Sequence, residues 1–348
     1  MKPAVTLGRR PTAFAAASLV GISLLAGCAG GSTLTPAAPL AGAQAKSQTR
    51  PAASCPCLYA PNWGNNSVTV YASGAHGDAT PIQAIAGSST DLDGPTAVAL
   101  DSDANVYVAN YGNGSPDPNS ITVYNAGANG NVTPRQLLSG SNTGLSLPDG
   151  IAIDPLNSAL FFVANFHSST ITAYSTDANG NEAPSATLGG SNTGLSDPSS
   201  IAFDSSGDLY VANFANSTVT VYAPGSSGNV APKQTISGGA TGLNTPDGIT
   251  VDSKGNIYVA NWKPASLLVY AAGANGNVSP IETIHGKNTE LSQAGGIALD
   301  SSGDLYVSNE APARILEFAP GATGNVAPLL ELKGKKTGLS SPTNIIIH

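Results

Sequence analysis

Charge is what this 348-residue chain has least of: Lys, Arg, Asp and Glu together make up only 10% of it, and the formal net charge is −8. Fourteen basic residues scattered without a stripe cannot neutralise a phosphate backbone, so nucleic-acid binding is excluded as a function class. Histidine is also scarce, at four residues, and cysteine at three. Beside His167, no second His or Cys stands at an equivalent position of another repeat, which argues against a soft-metal site there. No Ser–His–Asp order suggests a nucleophilic triad, and no strand–glycine-loop–helix unit offers a phosphate cradle. The apolar run Ala13–Gly27 is too short to cross a bilayer comfortably as a permanent helix.

Glycine (40), proline (25), Ser, Thr and Asn are plentiful instead. Such a composition alone would suit a disordered chain, but β-branched and aromatic residues recur at regular intervals. That combination describes a β-rich exported protein with many turns.

The chain divides into three parts. Residues 1–27 carry Lys2, Arg9 and Arg10, no acid, and then the apolar run; they end in Leu25-Ala26-Gly27-Cys28. This segment resembles a bacterial lipoprotein signal peptide with its lipobox, which implies cleavage before Cys28 and lipidation of that cysteine. Loss of the three bases would take the net charge from −8 to about −11. Residues 28–54, rich in Ala, Gly, Ser, Thr, Pro and Gln, read as a lipid-anchored flexible linker. The expected location is the bacterial cell envelope, periplasmic or at the cell surface, with membrane attachment through the acyl chains.

Residues 55–348 are repetitive. An Asn that ends a short apolar strand recurs at 62, 110, 165, 213, 261 and 309; four of the five intervals are 48 residues, and Asn110 to Asn165 is 55. The unit is fully displayed at Ile201–Leu243: a strand ending in Asp204, a Ser-Ser-Gly turn, Leu209–Asn213, Val219–Tyr222 and Lys233–Ser237. Asn129-Gly130, Asn179-Gly180 and Asn275-Gly276 supply tight connections between third and fourth strands. A four-stranded unit cannot bury both faces alone, and repetition at this period predicts a propeller. Five first strands are found inside the chain, against six of every other kind. The sixth is Ile345–His348, which returns to complete the sheet that residues 58–86 begin. The expected fold is all-β: a six-bladed propeller of four antiparallel strands per blade, closed by the C-terminal strand and acting as a monomer.

The GIAFD-like, LYVAN-like and VTVY-like segments resemble NHL-type and YVTN-type propeller repeats over about residues 58–348, with distant similarity to six-bladed gluconolactonase-like propellers. The second strand ends in Asn where NHL repeats often have Asp, and the third follows Ser or Thr rather than Arg. Such propellers include binding modules and enzymes.

Residues that recur in every blade are expected to build blades: the six Asn, and Asp101, Asp154, Asp204, Asp252 and Asp300 ahead of turns. Function is sought where the blades disagree. After each repeated Asn stand Trp63, Tyr111, Phe166, Phe214, Trp262 and Glu310, on the face that propeller topology makes the upper one; His167 lies beside them. These seven are the candidate ligand-binding residues, for a protein or a glycan, although aromatic rings there could equally seal the seams between blades. Asp149 and Asp247, each in Pro-Asp-Gly, join Glu310 as hard oxygen donors suited to Ca²⁺; the resemblance to lactonase-like propellers implies a divalent ion at this mouth, while a turn-capping role would leave the protein without a cofactor. The Gly112–Asn119 loop of the second blade is longer than its counterparts and is a candidate recognition element. Cys55 and Cys57 form a strained bridge, remain free thiols, or clip a metal together with His348. The reading favoured on this basis is a non-catalytic binding module; the alternatives are a metal-dependent hydrolase and a plain spacer.

Overall fold

The structure, a computed structural model, describes residues 57–112 and 119–348. Lipidation at Cys28, the signal peptide, the linker, Cys55 and most of the Gly112–Asn119 loop lie outside the described residues. Twenty-four strands form six separate four-stranded antiparallel sheets. Blade 4 shows the common plan: Pro198–Phe203 innermost, then Leu209–Asn213, Thr218–Tyr222 and, outermost, Gln234–Ile236. No helix among the described residues is long and apolar enough to cross a membrane.

Blade 1 closes the ring as the repeat count predicts. Ile346–Ile347 pairs antiparallel with Cys57–Asn62, in the register Leu58 to Ile347 and Tyr59 to Ile346. The two termini lock by reciprocal bonds: the Cys57 N–H donates to the His348 carbonyl at 2.8 Å, and the His348 N–H to the Cys57 carbonyl at 3.0 Å. Cys57 is disulfide-bonded, so its sulfur is not available as a thiolate. The suggested metal clip of Cys55, Cys57 and His348 includes Cys55, which lies outside the described residues.

No single core exists. Six apolar clusters occupy the six seams; one unites Tyr107, Ile121 and Leu138 of blade 2 with Ile151, Phe161 and Val163 of blade 3. Because both faces of each sheet are covered, strands such as Leu209-Tyr210-Val211-Ala212-Asn213 are buried throughout. The recurrent polar residues hold the blades together. Each strand-ending Asn is fully buried, and its Oδ1 accepts a loop N–H, as Asn213 does from Ser196 at 3.2 Å. The turn Asp residues accept backbone N–H groups; Asp204 Oδ1 takes those of Ser206 and Asp208. The Asn-Gly turns do more than reverse the chain. Gly130 in blade 2 exchanges backbone bonds with Ala84 and Ala86 on the outer strand of blade 1, a clasp repeated around the ring.

The inner seams depend on short contacts. Thr96 Oγ1 donates to the Pro148 carbonyl of the next blade at 2.9 Å, and Ser199 Oγ to that of Pro246 at 3.0 Å. Blade 6 has Gly295 at that position and no hydroxyl there. Ser308, where four of the other blades have Ala and blade 1 has Pro61, supplies the missing donor to the Thr343 carbonyl at 2.6 Å. Gly296 lies against the closing strand: a Cβ there would stand 2.5 Å from the Thr343 carbonyl oxygen and 2.6 Å from the Asn344 Cα. Backbone cannot yield as a side-chain tip can, so Gly296→Ala should force the two strands apart. The expected cost is roughly 1–3 kcal/mol, read as a lowered urea midpoint at unchanged slope. An unchanged midpoint would show that the seam tolerates a methyl group.

Candidate functional site

Loops from second to third strands and from fourth to first strands meet at one end of the ring, the upper mouth. Its geometry starts with a backbone device. In each blade, the residue after the buried Asn donates its N–H to the carbonyl of one left-handed residue in the entry loop. The pairs are Trp63 to Ser341 (3.2 Å), Tyr111 to Gly94 (3.0 Å), Phe166 to Leu147 (3.1 Å), Phe214 to Asp197 (3.1 Å), Trp262 to Thr245 (3.0 Å) and Glu310 to Gln293 (3.1 Å). The acceptor residues have φ between 46° and 60°, a region costly for all but glycine, and five of the six are not glycine. Neighbouring blades compensate: Asn119 Oδ1 accepts the Leu147 N–H at 2.7 Å, and Ser169 Oγ the Asp197 N–H at 3.1 Å. Nothing in the residue types betrays these left-handed positions, and sequence reasoning missed them.

The six ring positions are all half-buried. Four side chains form a continuous arc: Tyr111–Phe166, Phe166–Phe214 and Phe214–Trp262 have ring centroids 6.3, 5.8 and 6.1 Å apart, at interplanar angles of 59°, 59° and 55°. Each contact crosses a seam, so the rings do seal blade boundaries. Tilted pairs, however, leave ring faces uncovered where stacked pairs would hide them. The Trp63 indole lies over Gly94 at the seam of blades 1 and 2, where a Cβ would come within 3.0 Å of its Nε1. The carboxylate of Glu310 lies toward Gly295. His167 is exposed and near Asp197, whose carboxyl burial pushes above the usual carboxylate range, with the imidazole acting in the opposite direction. Lys263 extends its Nζ over the Trp262 ring, 4.3 Å from the centroid.

Below the mouth runs a central cavity of about 410 Å³, lined by the innermost strands. Ala99, Ile153, Phe203, Leu299 and Ile347 are typical of its wall, and no ionisable side chain lines it. Asn344 reaches past blade 2, its Nδ2 donating to the Asp149 carbonyl of blade 3 at 3.2 Å. The three candidate metal ligands sit in different blades. Asp149 is buried, at 5% exposure, while Asp247 and Glu310 are half-buried. Asp149 and Asp247 occupy the seam position at which Thr96 and Ser199 bond the next blade. Among the described residues, no group of three or more His, Cys, Asp or Glu is gathered closely enough to hold a metal ion. The arrangement can present π-faces and a rim of carboxylates.

The NHL repeat family model matches residues 195–222, which cover the entry loop and first three strands of blade 4. One blade of this propeller thus matches the NHL repeat. No curated protein matches the chain. Solved structures similar to this propeller agree with it in fold alone. A protein of unknown function from Bacteroides caccae is 14% identical, with a TM-score of 0.61 over 84% of this chain and 98% of that one. A chain of a nidogen/laminin complex is 16% identical, with a TM-score of 0.58 over 84% and 97%. The periplasmic gluconolactonase of Pseudomonas aeruginosa is 17% identical, with a TM-score of 0.55 over 81% and 80%.

Proposed function

We propose that this protein is a cell-envelope binding module, held to a membrane through Cys28, whose NHL-repeat propeller engages a protein or glycan with its upper mouth. The observation that carries this reading is the unbroken arc Tyr111–Phe166–Phe214–Trp262. Aromatic residues fixed by packing and by backbone bonds are low-entropy contact surfaces, and partner recognition favours them. The similar fold in a nidogen/laminin complex is in keeping with a propeller that works by association.

Similarity to a gluconolactonase supports a second reading, a metal-dependent hydrolase. Its residues here would be Asp149, Asp247 and Glu310, with a divalent ion such as Ca²⁺ polarising a lactone carbonyl. The uncharged channel wall weighs against it.

One set of measurements separates the two. The binding reading expects Phe214→Ala with Trp262→Ala to reduce retention of the propeller on immobilised cell-envelope protein and glycan fractions at least tenfold, while circular dichroism shows an intact β-fold. Retention equal to that of the unmodified propeller would remove the arc from the site. Gluconolactone hydrolysis that requires Ca²⁺ and is lost in both Asp149→Ala and Asp247→Ala would transfer the function to the second reading.

A further inference from the structure

In charge, the blades disagree most at their outer edge. The described residues hold nine lysines and arginines, and five of them, Lys287, Arg314, Lys333, Lys335 and Lys336, sit on or beside the outer strands of blades 5 and 6. After each outer strand a threonine hydroxyl closes a turn on a glycine carbonyl, as Thr193 does on Gly190 and Thr337 on Gly334, both at 2.8 Å. The two residues inside this turn are uncharged in blades 1 to 4, as in Ser191-Asn192. Blade 5 has Lys287-Asn288 there and blade 6 has Lys335-Lys336, all exposed. Arg314 takes up both Glu290 and Glu331, and Lys333 also reaches Glu331. None of the ion pairs among the described residues involves Lys287, Lys335 or Lys336. The acid beside them is Asp78 of blade 1, whose Oδ1 accepts the Lys336 backbone N–H at 2.7 Å. At the opposite end of the same two edges stand Ile281 and Leu329, 58% and 57% exposed. Their counterparts in blades 2, 3 and 4 are Arg135, Ser185 and Lys233, each bonded to its third strand through the same backbone N–H.

We propose that the outer edges of blades 5 and 6 dock on an anionic phospholipid bilayer, with Lys287, Lys335 and Lys336 among the headgroup phosphates and Ile281 and Leu329 in the interface. Ammonium groups alone would suit any polyanion; exposed Ile and Leu on the same edges favour a surface with an apolar layer beneath its charge. The chain favours it too. The linker leads into Cys57, whose strand belongs to blade 1, the neighbour of blade 6. A flexible tether fixes no orientation, but it raises the effective concentration of the bilayer, so a weak basic patch suffices as the second attachment signal. This inference rests on the membrane-attachment part of the proposed function and adds an orientation to it: docking on an outer edge leaves the upper mouth open to a partner.

The test is co-sedimentation of the full chain with vesicles of phosphatidylglycerol or of phosphatidylcholine, in a Cys28→Ser background so that no acyl chain contributes. Lys287→Ser, Lys335→Ser and Lys336→Asn together give blades 5 and 6 turn residues that blades 2 and 3 already carry, so the fold is kept. This triple variant should bind phosphatidylglycerol about tenfold or more weakly and phosphatidylcholine unchanged. Ile281→Ser with Leu329→Ser should weaken binding to both vesicles severalfold. The charges of residues 1–27 are common to all variants and cancel in the comparison. Equal binding of the triple variant and the parent to phosphatidylglycerol overturns the inference. So does retention of soluble dextran sulfate, but not of anionic vesicles, by the three lysines, which would assign the patch to a soluble polyanion. Acylation of Cys28 is read separately, from the mass of the mature chain, so failure of the docking surface and failure of the membrane anchor are told apart.

Discussion

Removal of Asn344–His348 is expected to open the ring and make the propeller aggregate. Ile345 is 3% exposed and packs with Leu58, Ala60 and Tyr71 of blade 1 and with Ala298 and Ile315 of blade 6. Ile346 packs on the other side, in the seam of blades 1 and 2. Burial of one such side chain contributes about 1.5–3 kcal/mol, so three isoleucines, two of them half-buried, amount to roughly 4–6 kcal/mol. Against a total stability of about 5–15 kcal/mol, that loss leaves little. The deletion also strips the Cys57–Asn62 strand of its inner partner, exposing a flat apolar edge of the kind that templates intermolecular pairing. Calorimetry and size-exclusion chromatography of the truncated chain supply the check. A monodisperse protein melting within about 2 °C of the full chain would mean that the closing strand is dispensable.

Alkali should unfold the propeller over a narrow range that starts near the ordinary tyrosine pKa. The third strands of five blades end in a buried tyrosine whose hydroxyl donates to a threonine carbonyl in the loop entering the same blade. The bonds of Tyr71 to Thr337, Tyr124 to Thr90, Tyr174 to Thr143 and Tyr222 to Thr193 are 2.5 Å long, and that of Tyr270 to Thr241 is 2.6 Å. Burial pushes Tyr71, Tyr174 and Tyr222 up to about 12, partly offset by the threonine hydroxyls of Thr69, Thr172 and Thr220. Burial raises Tyr124 and Tyr270 as well. Below the ordinary tyrosine pKa of 10.0 the folded and unfolded chains are equally protonated at these sites, and no stability difference arises. As pH rises from 10.0 toward about 12, the unfolded chain releases these protons while the folded chain keeps them. Stability therefore falls through that window, by up to about 1.4 kcal/mol per pH unit for each such tyrosine. Urea denaturation should show a flat midpoint from neutral pH to about pH 9.5 and a steep decline above it, with phenolate absorbance appearing together with unfolding. Tyr222→Phe should cost about 1–3 kcal/mol at neutral pH, because the buried Thr193 carbonyl loses its donor, and should make the alkaline decline shallower. Phenolate absorbance from these five tyrosines that rises near the ordinary tyrosine pKa while the fold persists would contradict this account. Blade 6, with Phe318 at the same place, already lacks the bond.

These expectations rest on features that were visible in the sequence to very different degrees. The period of the Asn residues, the Asp-turn spacing and the shortage of one first strand specified blade number, strand order and closure. They did so because each records a local rule: strands alternate, turns need particular residues, and a sheet edge needs a partner. The six ring positions were likewise legible, since a residue following a fixed Asn must emerge at the same end of every blade.

Other features depended on what meets across a seam. Whether six side chains spaced about 48 residues apart touch is a matter of blade tilt, and the tilted arc from Tyr111 to Trp262 is a property of four blades at once. The left-handed conformations of Leu147, Asp197, Thr245, Gln293 and Ser341 carry no mark in residue type, and at the first three a side chain from the neighbouring blade accepts the residue's N–H. Asp149 and Asp247 looked like metal donors from the dipeptides around them; only the ring placed them in seams apart from each other. By itself, then, the sequence determined a closed wheel of six alike sheets, because the repeat acts through bonds within a blade and to its immediate neighbour. The tertiary structure alone decided which side chains share the mouth, because convergence across the axis comes from the closure of the ring as a whole.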